Sequence, residues 1–135
     1  MVYLQRLIGL NPRNVRSDNN IMKATVTAII QARMGSSRLP GKAMLDLAGR
    51  PLLYHVFRRV QATPGIDRIV MATCHGAEND AIIRLAESMG IQVFIGSEDN
   101  VLERFYLASE QYGGDYIMRV TGDNPFTDPG YAAET

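Results

Sequence analysis

Segments typical of buried β-strands alternate along this sequence with segments of helical periodicity. Residues 24–31 are nearly continuous in apolar and β-branched side chains, as in a buried strand of a parallel sheet. Residues 52–60 instead repeat apolar side chains at helical spacing after Pro51, a residue that favours the first helical position. The same two patterns recur downstream and predict strands over 66–73, 91–95 and 115–121 and helices over 77–89 and 97–112. In the last helix we predict Ser97 as the N-cap and the following side chains inward: Val101, Leu102, Phe105 and Ala108.

This alternation restricts the fold class. A strand that pairs in parallel with the next strand needs a crossover connection, which the intervening helices supply. We therefore predict an α/β fold, a three-layer sandwich with a mainly parallel sheet, in which residues 25–31 and 115–121 run parallel as neighbours or near neighbours. Ligands bind such sheets beyond the carboxyl ends of the strands. Four strands leave at least one sheet edge uncovered, so we expect an incomplete domain or a partner at that edge.

The composition excludes several classes of protein. Of the 135 residues, 46% are hydrophobic and 21% are charged, which is typical of a folded domain and not of a disordered chain. Lys and Arg number 14 and Asp and Glu number 14, so a generalised nucleic-acid partner is not expected. We find neither a signal peptide nor an apolar run near the roughly 20 residues of a membrane span. The single cysteine, Cys74, excludes an internal disulfide framework, and we expect a soluble, cytoplasmic domain without a membrane partner.

Positive charge gathers in two stretches of this neutral chain. Residues 1–23 carry four basic side chains against one acidic side chain, and residues 31–50 repeat that ratio. The first stretch has poor periodicity, so we predict a mobile N-terminal tail over residues 1–23 and a folded domain over 24–135. The second stretch predicts a local anion site, because its cations fall within one loop.

The loop after the first strand has the composition of a phosphate-binding segment. Its cations, glycines and serines are Arg33, Gly35, Ser36, Ser37, Arg38, Gly41 and Lys42. Guanidinium groups bind phosphate oxygens in pairs, a lysine supplies a compact charge, and glycines allow a close backbone approach. This chemistry suits a polyphosphate, although a solvated basic surface loop has the same composition.

Two familiar phosphate motifs do not fit this loop. Five residues separate Gly35 from Gly41, where a P-loop has four, and Ala43 stands where the P-loop hydroxyl would bind Mg²⁺. The turn also lacks the Gly-x-Gly-x-x-Gly run of dinucleotide-binding domains. A P-loop NTPase and a dinucleotide-binding enzyme are therefore rejected.

Three separate segments form longer motifs. They are Ile29-Ile-Gln-Ala-Arg-Met-Gly-Ser-Ser-Arg-Leu-Pro-Gly-Lys42 with Leu47-Ala-Gly-Arg-Pro-Leu-Leu53, Gly96-Ser-Glu-Asp-Asn-Val-Leu-Glu-Arg-Phe-Tyr106, and Arg119-Val-Thr-Gly-Asp-Asn-Pro125. In order and spacing they resemble the acylneuraminate and 3-deoxy-manno-octulosonate cytidylyltransferases, and most closely the spore-coat polysaccharide biosynthesis branch of that family. The resemblance covers about residues 24–135, which correspond to the N-terminal part of such a domain. It implies the Rossmann-like fold of the nucleotide-diphospho-sugar transferases, here incomplete.

The resemblance implies an activity in polysaccharide biosynthesis. CMP would pass from CTP to an acidic or modified sugar with release of pyrophosphate, with Mg²⁺ as the cofactor. The implied partners are CTP and the sugar acceptor, together with a second copy of the chain or a C-terminal half. Two alternatives stay open: a nucleotidyltransferase for another nucleotide such as UTP or GTP, and a non-catalytic nucleotide-binding or assembly module.

The resemblance also implies roles for individual residues. The nucleotide-binding set would be Gln31, Ala32, Arg33, Gly35, Ser36, Arg38, Lys42, Ser97 and Asn100. Within it, the backbone near Gln31 and Ala32 would recognise the pyrimidine. The catalytic set would be Arg38, Lys42 and Asp123, of which Asp123 falls where the family places a carboxylate on Mg²⁺.

The residues themselves leave some assignments open. Asp123 follows a strand and faces the basic loop, which suits Mg²⁺, but an Asx turn before Pro125 is an equally physical explanation. Asp128 is interpreted as a helix cap. Cys74 and His75 are adjacent and would point to opposite faces of a strand, so we do not expect a catalytic pair. The remaining candidates are interpreted as packing residues: His55, Tyr106, Tyr112 and Tyr116.

Overall fold

The computed structural model describes residues 24–130 together with the backbone of the strand Tyr3–Arg6. Its strands are β1 (Tyr3–Arg6), β2 (Val26–Gln31), β3 (Asp46–Leu47), β4 (Arg50–Pro51), β5 (Arg68–Cys74), β6 (Gln92–Gly96) and β7 (Tyr116–Thr121). Its α-helices are α1 (Leu52–Gln61), α2 (Asp80–Ser88) and α3 (Val101–Tyr112).

The main sheet has the order β1-β7-β2-β5-β6. Strand β2 pairs in parallel with both β5 and β7, β6 pairs in parallel with β5, and only β1 runs antiparallel to its neighbour β7. The α/β fold class with a mainly parallel sheet, and the parallel pairing of β2 with β7, are therefore confirmed. From β2 the chain moves outward to β5 and β6 and then returns to β7 on the other side of β2. This reversal creates a crevice at the carboxyl ends of β2 and β7.

Two apolar clusters lie on opposite faces of the sheet. One contains Ala28 and Ile30 of β2 together with side chains of α1 and α2, such as Phe57 and Ile82. The other contains Ile29 of β2 together with side chains of β5, β7 and α3. Successive side chains of a strand point to opposite faces, so a continuous apolar run such as β2 is buried on both sides. This arrangement produces the predicted three layers.

The predicted long loop before α1 contains a small hairpin. Strands β3 and β4 pair antiparallel, with Asp46 opposite Pro51, and enclose Ala48 and Gly49. These two residues have φ values of 53° and 82°, the positive values that a tight hairpin turn requires. The hairpin takes Pro51 out of the first helical position that the sequence predicted, because this residue has an extended ψ of 142° and α1 begins at Leu52.

Helix α3 begins later than predicted, and its inward face is only partly as predicted, since Phe105 and Ala108 pack in the core but Val101 and Leu102 are exposed. Ser97 was predicted as the N-cap, but the cap is Asn100, whose side chain accepts the Glu103 N–H at 2.9 Å. Ser97 Oγ instead accepts the Asn100 N–H. Leu102, which apolar spacing placed inward, is 77% exposed, whereas Arg104 is buried. The prediction failed because hydrophobic periodicity counts an arginine as an outward residue.

Strand β1 was not predicted, since residues 1–23 were expected to form a mobile tail. Residues 1–2 and 7–23 lie outside the described residues, and the tail and the boundary at residue 24 stay predictions. Within the described part of the chain, no helix combines the length and apolar character that crossing a membrane requires.

Candidate active site

A cleft of about 570 Å³ opens at the crevice between β2 and β7. The loop that follows β2 supplies one wall through Arg33, Ser36, Ser37, Arg38, Leu39 and Lys42. Thr121, Gly122 and Asp123 at the end of β7 supply the floor, and Val101 and Arg104 of α3 supply a second wall. The basic loop and the acidic residue that the sequence singled out are therefore on the same cleft.

The basic loop is shaped by its own backbone. The Met34 carbonyl accepts two N–H bonds, from Ser36 and Gly41, at 2.9 Å each, and Gly41 has the positive φ of 71° that this turn needs. The N–H of Met34 is donated to the side-chain oxygen of Asn79 at 2.9 Å. Asn79 is fully buried and also donates to the His75 carbonyl at 3.2 Å. This side chain therefore anchors the loop to the segment after β5, a contact that nothing in the local sequence indicated.

Two loop cations form ion pairs across the cleft. Lys42 Nζ lies 2.7 Å from Asp123 Oδ2, and Arg33 Nη1 lies 3.4 Å from Glu98 Oε1. Arg38 is exposed and forms no ion pair with the described residues. The carboxylates therefore occupy the positions that an anionic ligand would need to take at Lys42 and Arg33, while Arg38 is already available.

Asp123 is held in its ionised form. The hydrogen bond from Lys42 is the main cause that lowers the pKa of its carboxyl below the usual value. Partial burial opposes this shift, and a hydrogen bond involving Thr121 reinforces it. The carboxylate is consequently a hard oxygen ligand at neutral pH, able to bind either an ammonium group or a divalent cation.

Gly122 allows β7 to bring Asp123 to the cleft. A Cβ added at this residue would lie 2.7 Å from Ala32 Cβ and 2.8 Å from the Gln31 carbonyl oxygen. That carbonyl accepts the Gly122 N–H at 2.8 Å. The ends of β2 and β7 can approach this closely only because residue 122 has no side chain.

Two arginines of the cleft were not predicted as site residues from the sequence. Arg119 Nε donates to Gln31 Oε1 at 3.1 Å, and Gln31 Nε2 donates to the Val101 carbonyl at 3.3 Å, which links β7, β2 and α3. Arg104 is 2% exposed and lines the wall formed by α3. The lining residues thus include five cations and a single carboxylate: Arg33, Arg38, Lys42, Arg104, Arg119 and Asp123. Such an excess favours a multiply charged anion.

The structure brings together most of the predicted site residues. Those that line the cleft are Gln31, Ala32, Arg33, Ser36, Arg38, Lys42 and Asp123. Gly35, Ser97 and Asn100 are not among its lining residues, and the last two make the hydrogen bonds that begin α3. The ligand contacts that the resemblance implied for all these residues stay predictions.

The other singled-out residues have structural contacts. Asp128 Oδ1 accepts the Gly130 N–H, as expected of a cap, and the Asx turn belongs to Asn124, whose Oδ1 accepts the Phe126 N–H. His55 Nε2 lies 2.6 Å from the Leu47 carbonyl oxygen. Tyr106 was interpreted as a packing residue, and this was wrong because it is 54% exposed.

The sequence is similar to one protein family and to several known proteins. The profile of the cytidylyltransferase family matches residues 27–134. The chain is 47% identical over 102 residues to an uncharacterized protein of Methanocaldococcus jannaschii, and the match covers 76% of this chain and 42% of that protein. It is 42% identical over 105 residues to the spore coat polysaccharide biosynthesis protein SpsF of Bacillus subtilis, with 75% and 44% covered. The chain therefore spans less than half the length of these relatives.

The fold is similar to that of solved structures. A cytidylyltransferase of Leptospira borgpetersenii superposes with a TM-score of 0.78 at 32% identity, covering 82% of this chain and 47% of that chain. A CMP:2-keto-3-deoxy-manno-octonic acid synthetase solved in complex with CTP superposes with a TM-score of 0.72 at 26% identity, covering 82% and 45%. The family profile matches most of this chain, and the chain therefore belongs to the cytidylyltransferase family.

Proposed function

We propose that this chain binds CTP in the cleft and provides the nucleotide-binding half of an enzyme that transfers CMP to an acidic or modified sugar. The observation that carries the proposal is the set of five cations and one carboxylate at the reversal point of the sheet. A triphosphate complements this charge, and the reversal point is where α/β sheets bind nucleotides. The related proteins of polysaccharide biosynthesis and the synthetase complexed with CTP support the choice of substrate class.

The proposed reaction is a displacement at phosphorus. A hydroxyl oxygen of the sugar attacks the α-phosphorus of CTP, the bond from the α-phosphorus to the bridging oxygen breaks, and pyrophosphate leaves. The hydroxyl proton passes to solvent or to a nearby base. Arg33, Arg38 and Lys42 offset the negative charge of the triphosphate and hold it in position, so catalysis rests on electrostatics and orientation.

The residues present fit a magnesium ion at Asp123. Among the described residues no group of three or more His, Cys, Asp or Glu side chains could enclose a metal. Mg²⁺ at a nucleotide site needs no such cage, because water and substrate phosphates supply most of its ligands beside one or two carboxylates. When bound, the ion would neutralise phosphate charge. Lys42 would exchange Asp123 for a phosphate oxygen, which requires only the opening of a half-exposed ion pair.

Measurement of pyrophosphate release tests this function directly. The chain would be incubated with CTP, Mg²⁺ and a panel of acidic sugars, and release that depends on both CTP and one sugar is the expected result. Calorimetric titration with CTP, UTP, GTP and ATP would establish the nucleotide, and tighter binding of UTP or GTP than of CTP would contradict the cytidylyl assignment.

A second candidate is a nucleotide-binding module without catalysis. It is favoured by the lining of the cleft, which offers five cations to a polyphosphate but a single carboxylate. CTP binding without pyrophosphate release from any sugar would support the module. Release with an acceptor would exclude it.

A further inference from the structure

Strand β1 covers one side of the strand that ends at the cleft. It pairs antiparallel with β7, with Tyr3 opposite Arg119 and Arg6 opposite Tyr116. In the order of the sheet, β1 is the neighbour that separates β7 from the sheet edge. The family profile begins at residue 27, so this strand lies outside the match that identifies the family. The function proposed above gives β1 no role.

The backbone N–H groups of β7 alternate between its two neighbours. The Tyr116 N–H is donated to the Thr25 carbonyl at 3.0 Å and therefore points toward β2. Successive residues of a strand direct their N–H groups to opposite sides, so the N–H of Met118 also points toward β2. The residues between and after these two, Ile117 and Arg119, consequently direct their N–H groups toward β1. Neighbouring amides of one strand thus report the two pairings separately.

The pairing of β1 with β7 is short. It connects the four residues of Tyr3–Arg6 to β7, at one edge of the sheet. In an antiparallel ladder only alternate pairs exchange both hydrogen bonds, and here those pairs are Tyr3 with Arg119 and Gln5 with Ile117. Short elements at the edge of a fold open at a low cost in free energy. We therefore expect β1 to unpair while the other strands stay in place.

The connection that follows β1 permits this opening. Arg6 and Val26 both lie opposite Tyr116, one on each side of β7, so they are about 10 Å apart at the usual spacing of strands. Extended chain would need about three or four residues to cross this gap, whereas residues 7–25 are available. Strand β1 can therefore separate from β7 without displacing β2.

Arg119 connects the pairing of β1 to the cleft. Its backbone is paired with Tyr3, while its side chain lines the cleft and donates through Nε to Gln31 Oε1 at 3.1 Å. Asp123 follows at the end of the same strand and also lines the cleft. With β1 in place, β7 has a neighbour on both sides as far as Arg119. Without β1, β7 becomes an edge strand directly before the floor of the cleft, so its end is held less firmly.

We propose that the pairing of β1 with β7 is coupled to ligand binding in the cleft, so that a bound nucleotide and β1 stabilise each other on β7. The inference rests on the nucleotide-binding function proposed above for the identity of its ligand. A nucleotide binds the paired state more tightly because that state already holds Arg119 and the floor in place. Coupling is reciprocal, so β1 strengthens nucleotide binding by the same factor as the nucleotide strengthens the pairing of β1.

The test uses the full chain and two substitutions at one position of β1. Gln5→Pro removes a backbone N–H that faces β7, and Gln5→Ala is the matched control because it keeps that N–H. Calorimetry would measure binding of CTP with Mg²⁺ to each variant. Amide hydrogen exchange, followed by NMR with and without CTP, would report the pairing with β1 at Ile117 and Arg119 and the pairing with β2 at Met118.

In the unmodified chain, Ile117 and Arg119 should exchange more slowly than unpaired amides and faster than Met118. Saturating CTP should slow exchange at these two residues by about 5- to 20-fold, within the usual range of coupling between sites. Gln5→Pro should weaken CTP binding by about the same factor, and Gln5→Ala should leave it within about twofold. Met118 should stay protected in Gln5→Pro, because its N–H bonds β2.

Three results would overturn the coupling while leaving the proposed function intact. Exchange of Ile117 and Arg119 at the rate of unpaired amides would show that β1 does not pair with β7. Unchanged exchange at these residues when CTP binds would show that the pairing and the cleft are independent. Equal losses of CTP affinity in Gln5→Pro and Gln5→Ala would mean that the backbone ladder is not responsible.

Two further outcomes are also decisive. If Gln5→Pro lost the protection of Met118, the sheet itself would be disrupted, and the effect of CTP on exchange in the unmodified chain would decide alone. Failure of the unmodified chain to bind CTP would overturn the proposed function and the coupling with it, while exchange at Ile117 would still report whether β1 is paired.

Discussion

The two walls of the cleft hold their cations in opposite ways. On the loop wall, the side chains of Lys42 and Arg33 are 36% and 39% exposed and pair with carboxylates that are themselves about half exposed. On the helix wall, Arg104 is almost fully buried and bonds a backbone carbonyl. Exposed ion pairs contribute little free energy and exchange partners readily, whereas a buried guanidinium keeps one geometry. The cations of the loop wall can therefore exchange their carboxylates for another anion, whereas the cation of the helix wall stays in one place.

The largest expected effect concerns the exposed cation of the loop wall. Arg38→Ala should weaken binding of CTP with Mg²⁺ by about 1.5–3 kcal/mol, which is about 10- to 150-fold. Its guanidinium fork can bind two phosphate oxygens and, unlike Lys42 and Arg33, has no ion pair with the described residues to break first. Calorimetry with CTP and with cytidine is the measurement.

Cytidine binding and the free energy of unfolding should stay unchanged in Arg38→Ala. Equal losses for CTP and cytidine would mean that the loop supports the site without contacting phosphate. Unchanged CTP affinity would mean that Arg38 is an ordinary solvated charge. The exposed cation of the loop wall would then not differ from any other surface arginine.

The second effect concerns the floor that joins the walls. Gly122→Ala should lower the free energy of unfolding by about 1–3 kcal/mol, because the added methyl group would meet the Gln31 backbone and Ala32. The matched control is Gly35→Ala, whose Cβ would approach only the end of the Glu98 side chain, at 3.2 Å. Urea unfolding of both variants measures the difference. Equal free energies of unfolding for the two variants would show that the ends of β2 and β7 can move apart at no cost in stability.

The smallest effect concerns the ion pair of the loop wall. The ordinary pKa of Asp123 is 3.8, and its folded value is lower, so the pair stabilises the fold above that pH and loses this contribution as the pH falls through the folded pKa. Lys42→Met should raise the pKa of Asp123 toward its ordinary value, because the main cause of the shift is removed. Carbon NMR of the carboxyl group during an acid titration is the measurement.

The stability lost in Lys42→Met at neutral pH should stay below about 1 kcal/mol, since solvent screens both partners. A larger loss of stability would mean that the ion pair between Lys42 and Asp123 holds the loop in its folded conformation and is not readily exchanged for a ligand. An unshifted Asp123 pKa would show that Thr121 or the backbone holds the carboxylate without Lys42.

The elements that could be predicted from the sequence were those that the spacing of neighbouring apolar residues determines. The apolar periodicity located β2, β5, β6 and β7, and parallel pairing then placed the basic loop and Asp123 at one sheet edge. What failed depended on contacts distant in sequence or on conformations that residue type does not signal. Asn79 anchors the loop through Met34, which lies 45 positions earlier in the sequence. Ala48 adopts a positive φ, a conformation that the sequence would have indicated only if the residue were a glycine.

The inner face of α3 shows the same limit within a single helix. Periodicity placed Leu102 inside, whereas the structure exposes Leu102 and buries Arg104, for which nothing was predicted. The reversal depends on Gly96, whose missing side chain makes room for the arginine stem. Only the three-dimensional packing of β6 against α3 reveals that a cation at the fourth position of the helix belongs to the cleft.

The return of the chain from β6 to β7 has a consequence for the order of folding. Lys42 and Asp123 are 81 positions apart, so the cleft is complete only after β7 has inserted beside β2. Such a distant pairing forms slowly because a long loop must close first. A nucleotide present during folding would stabilise only chains that have inserted β7, by mass action. CTP is therefore expected to act as a folding ligand, and its supply would affect how much intact protein accumulates.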